Sequence, residues 1–169
     1  MYKRKKRRLF GLVLICLLLA MILTYNPLSV RVMTISVAVY YQIDPALFYR
    51  LIRTESNFRS FAISPKAAIG LGQMQEKTAH YINSSHRRGL LFVPLYNLRL
   101  SAKYINYLQA KYNGNWSLTL AAYNWGETNV SRRMKSRSLE PKKDYRELFR
   151  DIPETYNYIA KIMPQRKKA

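Results

Sequence analysis

Apolar residues are spread unevenly along this 169-residue chain, and the densest run lies near its N-terminus. Residues 9–23 are fifteen consecutive apolar or small positions, and six basic residues at positions 3–8 precede them. A helix that packs into a globular core normally keeps a polar face, and this run has none. Extended to residue 25, the run would form a helix about 25 Å long, somewhat shorter than the hydrocarbon layer of a bilayer.

A basic segment followed by an apolar run is typical of a secretory signal or of an uncleaved membrane anchor. Residues 23–26, at the far end of the run, contain no small-x-small cleavage site, and the bulky Ile15 before Cys16 does not fit a lipoprotein site. We therefore expect residues 9–25 to be a single-pass transmembrane anchor. The basic segment within residues 1–8 would hold the N-terminus in the cytoplasm, so the chain beyond the anchor would lie outside.

The rest of the chain shows the pattern of a set of short helices. Asp44 followed by Pro45 is a favourable helix start, and this helix should end near residue 55 or 56. Residues 97–111 repeat apolar positions on one face and predict the clearest helix, which the polar residues 113–115 end. Further helices are predicted at about 71–82, 116–123 and 153–163.

These elements predict an all-α domain at residues 37–163. Residues 26–43 are rich in β-branched side chains, which locally favour a strand, but the helices that follow favour a helix here as well. We assign residues 26–36 to a linker and residues 164–169 to a basic tail. Residues 131–150 carry eight Lys or Arg and three acidic residues, and we expect them to form an exposed, partly mobile excursion.

The formal net charge of +20 restricts the class of partner. Without the N-terminal basic run and the tail, the body of the chain still carries +11. Nucleic acid is not expected, because an exported domain does not normally meet it, whereas an anionic cell-wall polymer fits both the charge and the export signal. The single Cys16 lies in the apolar run, and His80 and His86 alone cannot complete a zinc site, so we expect no disulfide and no metal in the exported part.

The helix predicted from residue 45 carries a carboxylate in an apolar position. Its apolar stripe consists of Phe48, Leu51 and Ile52, and Glu55 is the next position on that stripe. Burial and the end of the helix dipole both disfavour a negative charge, so the pKa of Glu55 should be raised and its carboxyl protonated near neutral pH. A general acid has this property. An ion pair with Arg53 or Arg59 is the structural alternative.

Four groups of motifs follow one another along the chain. They are Glu55-Ser56-Asn57-Phe58 with Ser64–Met74 and Thr78-Ala79; Tyr96-Asn97-Leu98 with Tyr104-Ile105; Leu120–Gly126; and Pro153–Tyr158. In this order they resemble the lytic transglycosylase domain of the goose-type lysozyme superfamily, over about residues 37–163. One motif alone would be a weak signal, but four in the right order are a strong one.

The resemblance implies a lysozyme-like α-helical domain with a groove for a glycan. It implies a bacterial enzyme with peptidoglycan strands as the substrate, and the anchor predicted at residues 9–25 would place it in the cytoplasmic membrane with its domain on the periplasmic or cell-wall side. By resemblance, Glu55 is the catalytic acid and base, Ser56 helps to orient it, and the substrate-binding residues are Ser56, Gln73, Tyr123, Asn124 and Tyr158. Each of these five also has a purely structural alternative, as a helix end, a turn residue or a packed aromatic.

The implied reaction cleaves the β-1,4 bond between N-acetylmuramic acid and N-acetylglucosamine and leaves a 1,6-anhydro end, without a metal or a cofactor. The alternatives are a hydrolytic muramidase on the same fold and a catalytically silent peptidoglycan-binding component. The chain departs from the family pattern at Ala67, which replaces a usual Gly, and at Trp125, which replaces a usual small residue. We expect these departures to affect which glycans fit the groove and not the chemistry at Glu55.

Overall fold

A computed structural model of the protein describes residues 2–135 and 137–164, with side chains from residue 6 onward except residues 8 and 9. The α-helices are α1 (Tyr2–Tyr25), α2 (Pro27–Tyr40), α3 (Pro45–Ser56), α4 (Glu76–Ile82), α5 (Pro94–Lys111), α6 (Trp116–Trp125), α7 (Glu127–Met134) and α8 (Pro153–Ile162), with 3₁₀ helices at Arg88–Phe92 and Arg146–Phe149. In these residues the β pairing amounts to two isolated antiparallel bridges around Ile69. The prediction of an all-α fold is confirmed.

The start and end of α3 follow directly from the sequence. The Asp44 carboxylate accepts a hydrogen bond from the backbone N–H of Leu47 at 2.9 Å, and Pro45 takes the first helical position. Asn57 adopts a left-handed conformation with φ of 50° and ends the helix. The predicted bounds of this helix are therefore confirmed, and Glu55 lies in its last turn.

Residues 27–40 form a helix, as predicted, despite their β-branched side chains. The Asn26 side chain caps α2 by accepting a hydrogen bond from the backbone N–H of Ser29 at 2.9 Å. The inner face of α2 buries Val30 and Thr34 against the domain and packs on α3 and α5. The segment 26–36, which the sequence analysis assigned to a linker, thus lies largely within a helix of the domain.

The N-terminal apolar run is helical, and its side chains from Phe10 to Leu23 are largely exposed. In the described part of the chain, no single helix meets the length and apolarity expected of a membrane span. The stretches Phe10–Tyr25 and Pro27–Tyr40 meet that criterion only as a pair, by length and composition, and they are bent by 63° at their junction.

The core lies where α3, α5, α6 and α8 pack together. The predicted apolar face of α5 is confirmed, since Leu98, Ala102, Ile105 and Leu108 are fully buried. Helix α6 buries six of its ten residues, 117–122, and half-buries the other four, and it packs against α5, α7 and α8. The ends of α3, α6 and α8 therefore meet at a fixed place.

Residues 131–150 are tied to the domain and do not extend freely from it. The Asn115 amide donates to the backbone carbonyls of Glu140 and Lys143 at 2.7 and 2.8 Å, and the Ser117 hydroxyl accepts from the Tyr145 backbone N–H at 2.8 Å. Tyr145 and Phe149 are buried. The expectation of an exposed segment is therefore wrong for Tyr145, Arg146 and Phe149, which are buried, whereas partial mobility of the segment stays a prediction. Exposure is confirmed for the basic residues Arg132, Lys135 and Arg137.

The prediction of a helix at 71–82 is wrong in its first half, because residues 70–75 form tight turns and α4 begins at Glu76. The buried Asn97 of α5 fixes these turns. Its amide oxygen accepts from the backbone N–H of Gly72 at 2.8 Å, and its amide nitrogen donates to the carbonyls of Ile69 and Leu91 at 3.0 and 2.9 Å. A side chain 25 or more residues away therefore overrides the local helical pattern.

Glycine is required where this loop passes Asn97 and α5. Gly70 has a φ of +77°, and a Cβ there would lie 2.3 Å from the amide nitrogen of Asn97. A Cβ on Gly72 would lie 2.0 Å from the hydroxyl oxygen of Ser101 and 2.9 Å from that of Tyr123. The backbone of the loop can therefore approach α5 and α6 more closely than any residue with a side chain would allow.

We expect Asn97→Ala to lower the free energy of unfolding by about 2–4 kcal/mol, because it leaves a buried N–H and two buried carbonyls without their partner. Asn106→Ala is the matched control: Asn106 also lies on α5, but it is exposed and donates a single hydrogen bond, to the Tyr41 carbonyl at 3.0 Å. Denaturant unfolding of the full chain in mild detergent, followed by tryptophan fluorescence, measures both. Equal losses in the two variants would contradict the role assigned to Asn97.

Candidate active site

A cleft of about 560 Å³ lies where the end of α3, the loop after it, the end of α6 and the start of α8 meet. Glu55 lies in this cleft, with Gln73, Tyr123 and Asn124 on its walls. Tyr104 of α5 also contributes to the lining. Four of the predicted site residues, from three separate stretches of chain, are therefore brought together.

Glu55 extends from the last turn of α3 into the cleft. The residue is half-buried, since it lies deep in the domain and opens only towards the cleft. Among the described residues, no Lys or Arg lies within ion-pair distance of its carboxylate. Arg59, one of the partners considered for it, donates instead to the Ser56 carbonyl at 3.0 Å. The ion-pair alternative is not what the structure shows.

The hydrogen-bond partner of Glu55 is Tyr158 on α8. The Tyr158 hydroxyl donates to Oε1 of Glu55, and its ring is buried. Tyr158 does not line the cleft and lies behind the carboxyl. The structure thus places this tyrosine in contact with the acid, where it fixes the rotamer of the Glu55 side chain.

Burial raises the pKa of Glu55 to about 7. The hydrogen bond from Tyr158 opposes this rise because it stabilises the carboxylate, and the negative charge of Glu154 adds to it. Since the pKa lies near neutral pH, the protonated and ionised forms are both well populated there. A half-buried carboxyl in a cleft with this pKa can both donate and accept a proton near neutral pH.

Tyr123 forms the wall of the cleft beside the loop that contains Gly70 and Gly72. Its hydroxyl donates to the Gly72 carbonyl at 2.7 Å and approaches the sulfur of Met74 at 3.4 Å. Burial, together with the charge of Glu55, raises the pKa of Tyr123 well above its ordinary value, so the phenol stays neutral. The ring is therefore held rigidly and presents its body, and not its hydroxyl, to the cleft.

Gln73 and Asn124 both line the cleft, and each also has a structural partner. The Gln73 amide nitrogen donates to the Gly70 carbonyl at 2.9 Å, and Gln73 itself adopts a φ of 47°. The Asn124 amide oxygen accepts from the Thr155 hydroxyl at 2.7 Å. These bonds hold both amides in place. Each side chain keeps further hydrogen-bonding capacity that a molecule in the cleft could use.

Ser56 does not line the cleft. It is buried, and its hydroxyl donates to the Ile52 carbonyl one turn earlier in α3 at 3.3 Å. Ser56 therefore faces the core and does not reach the groove that Glu55 enters. Ser56 is the one predicted site residue that the structure does not bring to the others.

The sequence analysis missed a second carboxylate, Glu154, on the first turn of α8. Glu154 lines the cleft, lies 3.5 Å from the Asn124 amide nitrogen and forms an exposed ion pair with Lys66 at 3.6 Å. The sequence did indicate that Glu154 belongs to the site, because Glu154 and Tyr158 are four residues apart and thus share a face of the helix. Once Tyr158 was assigned to the site, that spacing pointed to Glu154 as well.

Trp125 lines the cleft next to Asn124 and is clamped from outside. The guanidinium of Arg133 lies 4.8 Å from the centroid of its indole, and the ring of Phe149 meets it edge-on at 6.2 Å. Arg133 is itself held by two hydrogen bonds to the Asp151 carboxylate at 2.7 and 2.8 Å. The indole therefore forms a fixed wall of the cleft.

The described residues contain no group of three His, Cys, Asp or Glu side chains arranged to hold a metal ion. The two histidines stack edge-to-face with ring centroids 5.1 Å apart, and Nδ1 of His86 lies 2.9 Å from the Tyr96 hydroxyl. Neither histidine lines the cleft.

Comparisons with known proteins identify relatives of the domain. A sequence model of the transglycosylase SLT domain family matches residues 33–146, more than half of the chain. The structure is similar to that of an inactive glutamate-to-glutamine mutant of the lytic transglycosylase Slt of Pseudomonas aeruginosa, with a TM-score of 0.68 and 28% identity over 78% of this chain. It is also similar to the 70 kDa soluble lytic transglycosylase of Escherichia coli, with a TM-score of 0.66 and 20% identity over 77% of this chain. The chain spans 22% of the length of each.

We expect Tyr158→Phe to raise the pKa of Glu55 above its value of about 7. The variant loses a donor that stabilises the carboxylate, and a hydrogen bond to a charged group corresponds to roughly one pKa unit. Tyr156→Phe on the same helix is the control, because Tyr156 donates to the distant Glu147 at 3.1 Å. Titration of the glutamate carboxyls by carbon-13 NMR measures the shift. An unchanged Glu55 pKa in Tyr158→Phe would show that the hydrogen bond does not tune the acid.

Proposed function

The chain belongs to the transglycosylase SLT domain family, and on that premise we propose that it is a peptidoglycan lytic transglycosylase with Glu55 as its general acid and base. The observation that carries the proposal is the position and pKa of Glu55. It is a half-buried carboxyl in a cleft, with no cationic partner among the described residues, a hydrogen bond from Tyr158 and a pKa of about 7.

The relative from Pseudomonas aeruginosa supports the assignment of Glu55. That protein was solved as an inactive mutant in which a glutamate is replaced by glutamine, so a single glutamate is essential to it. In this chain, Glu55 is the glutamate whose environment suits acid catalysis. Glu154, the other glutamate of the cleft, is largely exposed, as its side-chain exposure of 68% shows.

The first step of the proposed reaction is proton donation. The protonated carboxyl of Glu55 transfers its proton to the oxygen that links N-acetylmuramic acid to N-acetylglucosamine, and the bond from C1 of the muramic residue to that oxygen breaks. Positive charge develops on the muramic ring as the bond lengthens. The loss of the proton leaves a carboxylate, which Tyr158 stabilises through its hydrogen bond.

The second step closes the product ring. The 6-hydroxyl of the same muramic residue attacks C1, and its proton passes to the carboxylate of Glu55. A 1,6-anhydro end forms, the carboxyl regains its proton, and no water is consumed. One carboxyl suffices because the substrate supplies the nucleophile.

The walls of the cleft are proposed to bind the glycan. Sugar rings present apolar faces to aromatic side chains and hydroxyls to amides, and Tyr123 and Trp125 supply the former while Gln73 and Asn124 supply the latter. Ser56 would act only by stabilising the last turn of α3 from inside the core.

A hydrolytic muramidase is the second candidate, and the presence of Glu154 in the cleft favours it. Inverting glycosidases use a second carboxylate to activate a water molecule. Under that mechanism, Glu154→Gln would abolish cleavage and the products of the wild type would carry reducing ends. Mass spectrometry of fragments released from purified peptidoglycan distinguishes the two reactions, because an anhydro end is lighter by one water molecule.

We propose further that residues 9–25 anchor the protein in the bacterial cytoplasmic membrane, with the domain on its outer face. The support is the apolar, exposed surface of α1 and the basic run before it. The substrate lies on the same side, so the location and the reaction agree.

We expect Glu55→Gln to reduce cleavage of peptidoglycan by about 10²-fold or more, because the amide cannot donate the proton that the leaving oxygen requires. Glu76→Gln, at an exposed carboxylate outside the cleft, is the control and should retain wild-type activity. The release of soluble fragments measures both, and a Glu55→Gln rate near that of the wild type would exclude the proposed role.

The stability of Glu55→Gln separates lost chemistry from lost structure. Because the folded-state pKa of Glu55 lies above its unfolded value of 4.5, the ionised group destabilises the fold increasingly as pH rises from about 4.5 through 7. The variant should therefore melt at or above the wild-type temperature at pH 8 and show less difference at pH 5.

We expect the full chain to remain in the membrane fraction after an alkaline wash, and a variant lacking residues 2–25 to be released. The apolar surface of α1 provides the affinity in the first case and is missing in the second. Cell fractionation with N-terminal sequencing tests this. A soluble mature form that starts near Asn26 would show that the run is a cleaved signal.

A further inference from the structure

Helix α2 has an apolar face that the domain does not cover. Its inner face is buried, whereas its outer face presents Leu28, Val32, Ile35 and Val39, with exposures of 70, 55, 45 and 62%. Their spacing of four, three and four residues places them on one stripe of the helix. We call these four residues the outer stripe. Exposure of this much contiguous apolar surface to water is unfavourable.

The outer stripe is continuous with the apolar surface of α1 across a single residue. Asn26 builds the corner between the helices, because its amide donates to the Leu23 carbonyl at 3.1 Å while its oxygen caps α2. Tyr25 stacks on Phe61 with ring centroids 5.1 Å apart, which attaches the end of α1 to the domain. The 63° bend is therefore a structured corner.

The bend and the helix lengths determine where α2 would lie. If α1 stood along the membrane normal, α2 would climb only about 10 Å along it and run roughly 19 Å across the surface, given its 14 residues. The apolar part of α1, residues 9–25, is about 25 Å long, shorter than a bilayer core of about 30 Å. A short span draws its end towards the interior, so α2 would begin within the interface and not above it.

Aromatic and cationic groups flank the outer stripe as they do in helices at a membrane surface. Tyr40 directly follows Val39, the last residue of the outer stripe, and has 74% of its surface exposed, and the guanidinium of Arg99 lies 6.0 Å from the centroid of the Tyr40 ring. Lys103 follows Arg99 by one turn on α5, and Arg31 is exposed on α2 itself. Tyrosine favours the headgroup level, and Lys and Arg there attract anionic lipid.

From these observations we propose that the outer stripe of α2 is a lipid-binding surface, which lies in the headgroup region of the membrane that α1 enters. The domain then rests on the membrane and does not swing on a tether. This inference depends on the proposed membrane location but not on the proposed reaction.

The test uses nitroxide labels on the full chain in vesicles of phosphatidylcholine and phosphatidylglycerol. The native Cys16, the single cysteine of the chain, reports the insertion of α1. In a Cys16→Ser background, single cysteines at Val32, Ile35 and Val39 report the outer stripe, and Lys142→Cys is the matched control on an exposed part of the domain. Power-saturation EPR compares the accessibility of each label to oxygen, which enters lipid, and to a water-soluble nickel chelate.

We expect the nickel accessibility at the outer stripe to be several-fold lower than at position 142, and its oxygen accessibility to be higher. Nickel accessibility equal to that at position 142, while Cys16 lies in hydrocarbon, would overturn the proposal and leave the anchor intact. Protection with dipolar coupling between labels of different molecules would overturn it in favour of a dimer interface. A water-accessible Cys16 would refute the membrane location together with this proposal, whereas peptidoglycan cleavage in the same vesicles tests the reaction independently.

Discussion

The arrangement of the cleft depends on the three hydrogen bonds that Asn97 makes in the core. This one amide side chain pairs with Gly72 N–H and with the carbonyls of Ile69 and Leu91, so it sets the course of the loop that forms one wall. The loop in turn supplies the Gly72 carbonyl that holds the Tyr123 hydroxyl at 2.7 Å. The glycines are needed because no side chain fits between the loop and α5. Rigid walls of this kind keep a substrate in register with a catalytic group.

The position of the Glu55 carboxyl lowers the stability of the fold, because burial disfavours its ionised form. An apolar residue at the end of the α3 stripe would pack better, and a surface position would solvate the carboxylate better. The fold does neither: it places the group in a half-buried position with one hydrogen bond from Tyr158 and a second negative charge, Glu154, nearby. Destabilisation of this type is expected at functional sites, where selection acts on protonation behaviour as well as on packing.

Features determined by neighbours in sequence were predicted well, and features determined by distant contacts were not. The bounds of α3 and the position of Glu55 on its apolar stripe follow from Asp44, Pro45 and a local repeat. The early start assigned to α4 was wrong because Asn97, far along the chain, dictates the conformation of residues 70–75. The exposure of Tyr145, Arg146 and Phe149 was misjudged for the same reason, since the high charge of their segment says nothing of the contacts that Asn115 and Ser117 make with its backbone. Glu154 escaped notice because its approach to Glu55 arises from the packing of α3 against α8, although its spacing from Tyr158 carried the clue.

The burial of Glu55 also makes its protonation sensitive to the pH around the protein. A carboxyl with a pKa of about 7 is roughly nine-tenths protonated at pH 6 and one-tenth protonated at pH 8. An ordinary glutamate would be ionised throughout this range and insensitive to it. In a peptidoglycan-cleaving enzyme that uses this residue as its acid, the fraction of active molecules would depend on the pH around the cell wall. Acidification from pH 8 to pH 6 would thus raise the protonated fraction of Glu55 about ninefold.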